Sequence, residues 1–129
     1  MVYLLVFLGA GIGGMLRQAV NVVAAKFFGL GFPVGTLTVN VAGSVVMGAI
    51  AVLFALRSDL PQELKLFLTT GILGGFTTFS TFSLDSVELW DRGQGSLAFA
   101  YIGASLMLSL IGLVLGMAAV RLLNHAFFT

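Results

Sequence analysis

Four long apolar runs, separated by short charged or proline-containing stretches, organise this chain. An α-helix needs about 20 apolar residues to cross the hydrocarbon core of a bilayer, and each run is long enough. A turn at Pro33, a charged stretch from Arg57 to Pro61 and a Gly93-Gln94-Gly95 hinge separate the runs. The pattern predicts an all-α membrane protein, built as one domain over residues 1–129, with four transmembrane spans at about residues 2–25, 34–56, 62–90 and 96–120.

The composition indicates the same class. Hydrophobic residues make up 59% of the chain and charged residues 9%, whereas a soluble domain carries about a quarter charged residues. The absence of cysteine excludes disulfides and thiolate metal sites, and His125 cannot build a zinc site or a catalytic triad alone. With a net charge of +1, nothing indicates a nucleic-acid partner. We expect no enzymatic activity and, because the first run leads into more membrane sequence, no cleavable signal peptide.

The positive charges divide evenly between the two sides of the membrane. Four crossings place one set on each side: Arg57, Lys65 and Arg121 on the first, and Arg17, Lys26 and Arg92 on the second. Orientation is normally set by an excess of Lys and Arg on the cytoplasmic side, and here there is none. Either the chain carries little topology information, or it inserts in both orientations and pairs with an inverted copy of itself.

The third run carries glycines and hydroxyl side chains at mid-membrane depth. Residues 69–83 include three glycines and seven Ser or Thr residues. Gly74-Gly75 is a poor helix interior, because each glycine costs about 1 kcal/mol relative to alanine. Hydroxyls nearby can bond to backbone groups that a break frees, although small residues also serve ordinary helix packing. We favour a helix broken near Gly74-Gly75, whose exposed carbonyls suit a small cation.

Three phenylalanines follow the predicted break. Phe76, Phe79 and Phe82 are spaced i, i+3 and i+6, which predicts that they share one face of the second half-helix. Such a stripe ordinarily serves packing. The edge of an aromatic ring is electropositive, however, so rings that present their edges to a narrow passage would stabilise an anion without a fixed positive charge.

Polar positions recur on the neighbouring spans at matching intervals. Thr36, Asn40 and Ser44 follow i, i+4, i+8 on the second span, as do Tyr101, Ser105 and Ser109 on the fourth. Asn40 is the most informative of these residues, because an amide within the bilayer needs a partner or a function. An interhelical hydrogen bond is the simpler interpretation of Asn40.

Two further features concern packing and charge. The glycine pairs Gly9/Gly13 and Gly112/Gly116 predict close helix contacts. Arg17 is the one strong cation within the apolar runs, and we expect it near one membrane surface or paired with a carboxylate, Asp85 being the nearest in depth.

These motifs resemble those of the CrcB/Fluc family of fluoride channels. The resemblance rests on Gly13-Gly14-Met15-Leu16-Arg17, on Gly35-Thr36-Leu37-Thr38-Val39-Asn40, on Tyr101 with Ser105 and Ser109, and most specifically on the segment from Gly74 to Ser83. It implies an antiparallel, dual-topology homodimer with two fluoride pores and a structural Na⁺ at its centre. It also implies a multi-pass protein of the cell (inner or plasma) membrane that passively exports fluoride from the cytoplasm and confers fluoride resistance.

The resemblance also implies roles for individual residues. The backbone carbonyls of Gly74 and Thr77 would hold the sodium ion. The pore residues implied are Asn40, Phe79, Phe82, Ser80, Thr81, Tyr101, Ser105 and Ser109. The chain departs from the family at Asp85, where glutamate is usual.

Two other functions are compatible with the class. A small ion-coupled transporter needs a titratable carboxylate near the membrane midplane, but Asp85, Glu88 and Asp91 all lie toward one end of the third run. A non-transporting accessory membrane subunit would use the Phe, Ser and Thr residues as a docking surface. A passive pore needs neither an ATP-binding motif nor a proton-coupling carboxylate, and neither is visible in the sequence.

Overall fold

The predicted all-helical class is confirmed by a computed structural model, which describes residues 1–128 and contains no β-strand among them. Along the chain, the helices are α1 (Val2–Phe28), α2 (Val34–Leu56), α3 (Gln62–Leu66), a π-helical segment (Phe67–Leu73), α4 (Gly74–Phe76), α5 (Phe79–Asp91) and α6 (Gly95–Phe128).

Three of these helices, α1, α2 and α6, are long and apolar enough to span a membrane, with mean hydropathies of 1.4, 2.2 and 2.3. The bounds of α2 coincide with the predicted span over residues 34–56. By contrast, α1 continues to Phe28 and α6 continues to Phe128, both beyond the predicted spans. The predicted third span over residues 62–90 corresponds to α3, the π-helical segment, α4 and α5, which follow one another with one interruption.

The connections between the helices are short and contain the residues expected of turns. Gly29 ends α1 with a φ of 74°, and Gly93 lies at 76° between α5 and α6. Such angles favour glycine because a Cβ is strained there. Between α2 and α3, exposed Arg57 donates two hydrogen bonds to Asp59, at 2.9 and 2.8 Å. These bonds lower the pKa of the Asp59 carboxyl to about 2.

Both predicted glycine pairs mediate close helix packing. On α6, Gly112 and Gly116 face Val45 of α2, where a Cβ at Gly116 would collide with the Val45 carbonyl oxygen. On α1, Gly9 and Gly13 lie against the backbone of the π-helical segment, and a Cβ at Gly9 would approach the Gly71 Cα to 2.9 Å. The expectation of packing glycines is confirmed, and the helices approach one another through backbone contact.

The break in the third span lies later than the sequence indicated. Gly74 is helical, with φ −62° and ψ −36°, whereas Thr77 and Thr78 adopt extended conformations, with ψ values of 161° and 120°. The prediction of a break near Gly74-Gly75 therefore needs correction by two to three residues. Gly75 serves close packing instead, because a Cβ there would lie 2.9 Å from the Ala10 Cα.

Candidate functional site

A cavity of about 350 Å³ opens between α2, the break and α6. Among the predicted pore residues, five line it: Asn40, Phe79, Phe82, Ser105 and Ser109. Thr77, one of the two predicted sodium ligands, also lines it, together with apolar side chains from α2 and α6 such as Met47 and Leu110. Residues distant in sequence thus line one cavity with both polar and apolar side chains, whereas the predicted pore residues Ser80, Thr81 and Tyr101 lie outside its lining.

Asn40 joins α2 to the break through two hydrogen bonds. Its Oδ1 accepts the backbone N–H of Thr78 at 2.8 Å, and its Nδ2 donates to the Thr78 carbonyl at 3.0 Å. The side-chain amide therefore pairs with the backbone of one extended residue as a neighbouring strand would. An amide nitrogen has two hydrogens, so one N–H of Asn40 is left over for the cavity. The interhelical bond and the pore position are compatible.

Thr78 also caps the helix that follows the break. Its Oγ1 accepts the backbone N–H of Thr81 at 3.2 Å, as a threonine at the N-cap does. The same hydroxyl lies 3.3 Å from the Ser80 hydroxyl and donates a hydrogen bond to the Thr81 hydroxyl at 3.2 Å. Ser80 and Thr81 therefore support the start of α5. Thr78 was expected among the hydroxyl residues near the break, but its role as the N-cap was not. A threonine directly before Phe79 was the available signal, because Ser and Thr favour the N-cap.

The two carbonyls predicted to bind sodium lack their helical partners. In a continuous α-helix the N–H of residue i+4 donates to the C=O of residue i. The N–H of Thr78 donates to Asn40 instead of to Gly74, and the N–H of Thr81 donates to the Thr78 hydroxyl instead of to the Thr77 carbonyl. The break therefore leaves the Gly74 and Thr77 oxygens available to another ligand.

The aromatic residues at the break form a short series of packed rings. Phe79 is 75% exposed in the single subunit, and its ring lies 5.5 Å from that of buried Phe82. Phe82 in turn lies 5.3 Å from Tyr101. Phe76 does not share their face, contrary to the i, i+3, i+6 prediction, because it ends α4 before the break and packs beside Gly43.

Tyr101 does not line the cavity but packs against Phe82, which does. Tyr101 is fully buried, its ring meets the Phe32 ring edge-on at 5.6 Å, and its hydroxyl donates to the Asp85 carboxylate at 3.1 Å. Of the two alternatives expected for Arg17, the pairing with Asp85 is not found: within residues 1–128 the salt bridge joins Arg57 and Asp59. The Asp85 carboxylate accepts the Tyr101 hydroxyl instead.

Ser105 contributes a hydroxyl with no partner. Its Oγ is buried and makes no hydrogen bond within the described chain, yet Ser105 lines the cavity. A buried polar atom without a partner is uncommon and costs free energy unless something binds it. Ser44 lines the cavity too, but its hydroxyl donates to the Asn40 carbonyl of its own helix at 2.8 Å. Ser105 is therefore a free donor on the α6 wall.

Comparison with known proteins places the chain in a family. Residues 4–117 match the family model described as "CrcB-like protein, Camphor Resistance (CrcB)". A protein of Nitrobacter hamburgensis named "Fluoride-specific ion channel FluC 2" is 51% identical over 92% of this chain and 96% of its own length. "Fluoride-specific ion channel FluC" of Granulibacter bethesdensis is 54% identical over 95% of this chain and 97% of its own. The resemblance read from the sequence is confirmed: the chain belongs to the CrcB family.

Proposed function

We propose that this protein is a fluoride-selective channel that passively exports F⁻ from the cytoplasm and thereby gives fluoride resistance. The cavity at the break carries the proposal. Its polar wall offers one N–H of Asn40 and the unpartnered hydroxyl of Ser105, and no Lys, Arg or His is among the residues that line it. The relatives named fluoride-specific channels match nearly the whole chain.

Neutral donors suit conduction better than a fixed charge. A channel must bind its ion well enough to admit it and weakly enough to release it. A lysine or arginine in a medium of low dielectric would hold fluoride strongly, because charge interactions strengthen as the dielectric falls. A neutral hydrogen bond contributes about 0.5–1.5 kcal/mol net. The ring edges of Phe79 and Phe82 add weak electropositive contacts beside those donors.

The pathway becomes complete when a second copy is added. In one subunit the cavity is open, and Phe79 is 75% exposed at its mouth. A partner in the opposite orientation would cover this surface and create two equivalent pores. The even split of positive charges is compatible with such dual insertion. In this arrangement α3 to α5 form the fourth crossing, and each subunit is a multi-pass protein of the plasma (in bacteria, inner) membrane.

A sodium ion at the dimer centre fits the freed carbonyls. Backbone oxygens are hard ligands, and irregular backbone within a membrane persists where it lines a cavity or is buried in protein. Gly74 and Thr77 from each subunit would hold the ion through oxygens whose helical donors are redirected. The bound cation would supply positive charge that stabilises carbonyls otherwise left without donors.

Passive export follows from the membrane potential. An interior-negative potential favours the outward movement of a monovalent anion by about 2.3 kcal/mol per 100 mV. No coupled gradient is then required. The residues of this chain need only replace part of the hydration shell of fluoride along the pathway.

Efflux from liposomes that contain only this protein tests the proposal. Fluoride should leave loaded vesicles when valinomycin and potassium set the potential, without any proton or sodium gradient, and chloride should be retained. A coupled transporter would need a counter-gradient, and an accessory subunit would give no efflux from correctly reconstituted protein. Either result would refute the channel.

A further inference from the structure

The hydrogen bonds of Asn40 connect the fluoride pathway to the freed carbonyls of the break. We infer that Asn40 is a positioning residue for the sodium ligands as well as a donor in the pore. The inference rests on the proposed sodium site. One side-chain amide bonds to both backbone groups of Thr78: Oδ1 accepts a hydrogen bond from the N–H, and Nδ2 donates one to the carbonyl.

Oδ1 of Asn40 determines whether the Gly74 carbonyl is free. In an unbroken helix this carbonyl would receive the N–H of Thr78. Asn40 withholds that N–H from 38 positions away in the sequence. Without an acceptor at residue 40, a buried N–H would be left unpaired, which is costly. The Thr78 N–H would then return to the Gly74 carbonyl and occupy an oxygen that the sodium ion needs.

Nδ2 has a separate task. One of its hydrogens holds the Thr78 carbonyl at 3.0 Å, and the other remains for the cavity that Asn40 lines. The acceptor of the amide thus keeps the Thr78 N–H away from the Gly74 carbonyl, and the remaining donor hydrogen serves the pore. Two substitutions separate these roles. Asn40→Asp keeps an acceptor for the Thr78 N–H, loses the donor to the Thr78 carbonyl and places a carboxylate in the anion pathway, whereas Asn40→Ala removes the acceptor and the donor alike.

The experiment measures sodium affinity without relying on transport. Purified dimer is unfolded thermally over a series of NaCl concentrations, with N-methyl-D-glucamine replacing sodium at constant ionic strength. A ligand that binds only the native state raises the melting temperature by mass action, so a fit of melting temperature against sodium concentration gives an apparent sodium dissociation constant, which is termed the sodium midpoint. General destabilisation lowers the melting temperature at every concentration without moving that midpoint.

We expect Asn40→Ala to raise the sodium midpoint by about tenfold, the upper end of the effect of losing one neutral hydrogen bond. Asn40→Asp should stay within about threefold of the parent while fluoride efflux is lost, because its acceptor remains. Thr38→Ala is the matched control, since the exposed Thr38 lies outside the cavity lining and its hydroxyl bonds only to the Val34 carbonyl of the same helix. Its sodium midpoint should not change.

Several outcomes would overturn the inference. One is an unchanged sodium midpoint in Asn40→Ala. Another is an Asn40→Ala protein that fails to assemble even in saturating sodium, because a weakened site should be rescued by mass action. A parent protein whose melting is independent of sodium would remove both the inference and the sodium site, while fluoride efflux would still decide the channel. If the parent responds to sodium and the sodium midpoint of Asn40→Ala equals that of the parent, the inference about Asn40 is refuted but the sodium site is not.

Discussion

Replacing Phe79 by isoleucine removes an aromatic ring from the mouth of the cavity and keeps an apolar side chain there. Because Phe79 is 75% exposed in the subunit and pairs with the Phe82 ring at 5.5 Å, little burial is lost. One aromatic pair contributes about 0.5–1.5 kcal/mol, so the free energy of unfolding should fall by about 1 kcal/mol. Phe82→Ile removes two ring contacts from a buried position and should cost about 1–3 kcal/mol.

Fluoride flux should respond differently from stability. If ring edges contact the anion, both variants lose at least about tenfold in flux, which corresponds to about 1.4 kcal/mol in the barrier. The more exposed ring, Phe79, then affects flux far more than stability. If the rings only pack, Phe82→Ile should lower stability more than flux, and Phe79→Ile should conduct almost normally.

The assay uses a fluoride electrode on liposomes that contain correctly dimeric protein. Phe99→Ile is the control, because the exposed Phe99 pairs edge-on with Trp90 at 5.9 Å and does not line the cavity. It should lose a similar small amount of stability and retain flux. Normal flux in both Phe79→Ile and Phe82→Ile would refute the ring-edge mechanism.

Three further predictions concern other parts of the subunit. Ser105→Ala removes a buried hydroxyl that has no partner, so the melting temperature should hold or rise while fluoride flux falls several-fold, about the value of one neutral hydrogen bond. Gly13→Ala should destabilise the fold by about 1–3 kcal/mol in thermal unfolding, because its Cβ would meet the Phe76 nitrogen at 2.8 Å, whereas Gly14→Ala meets no neighbour and should not; equal melting temperatures would contradict the packing argument. C-terminal reporter tags should be found on both sides of the membrane, and two lysines added near Arg57 should bias them to one side; a one-sided parent would refute dual insertion.

The positions of the long helices follow from hydropathy. The bilayer imposes a length of about 20 apolar residues on each span, and α2 begins and ends where the predicted second span does. The glycine pairs also have a signal of their own, because small residues at four-residue spacing pack helices closely. Of the polar positions at helical spacing on the second and fourth spans, Asn40, Ser44, Ser105 and Ser109 line one cavity, whereas Thr36 and Tyr101 do not.

The position of the break could not be predicted from helix propensity alone. Gly74 and Gly75 are locally unfavourable in a helix, yet both are helical, and Gly75 packs closely against Ala10 of α1. The helix ends instead where an acceptor on α2, the Asn40 amide, replaces the backbone partner of Thr78. The π-helical segment was not predicted either. Its backbone lies against Gly9 and Gly13 of α1, and this contact with another helix is not visible in the sequence of the segment itself. Each of these features involves contacts with a second helix, and the periodicity of one segment contains no information about such contacts.

The reversal potential of single channels in a planar bilayer tests passive, fluoride-selective conduction most directly. With a tenfold fluoride gradient, equal chloride, equal sodium and equal pH on both sides, the account predicts a current that reverses near the fluoride equilibrium potential, about 59 mV from zero. The current should persist without any other ion gradient. A reversal near zero, or a current that appears only when a proton or sodium gradient is imposed, would contradict the account.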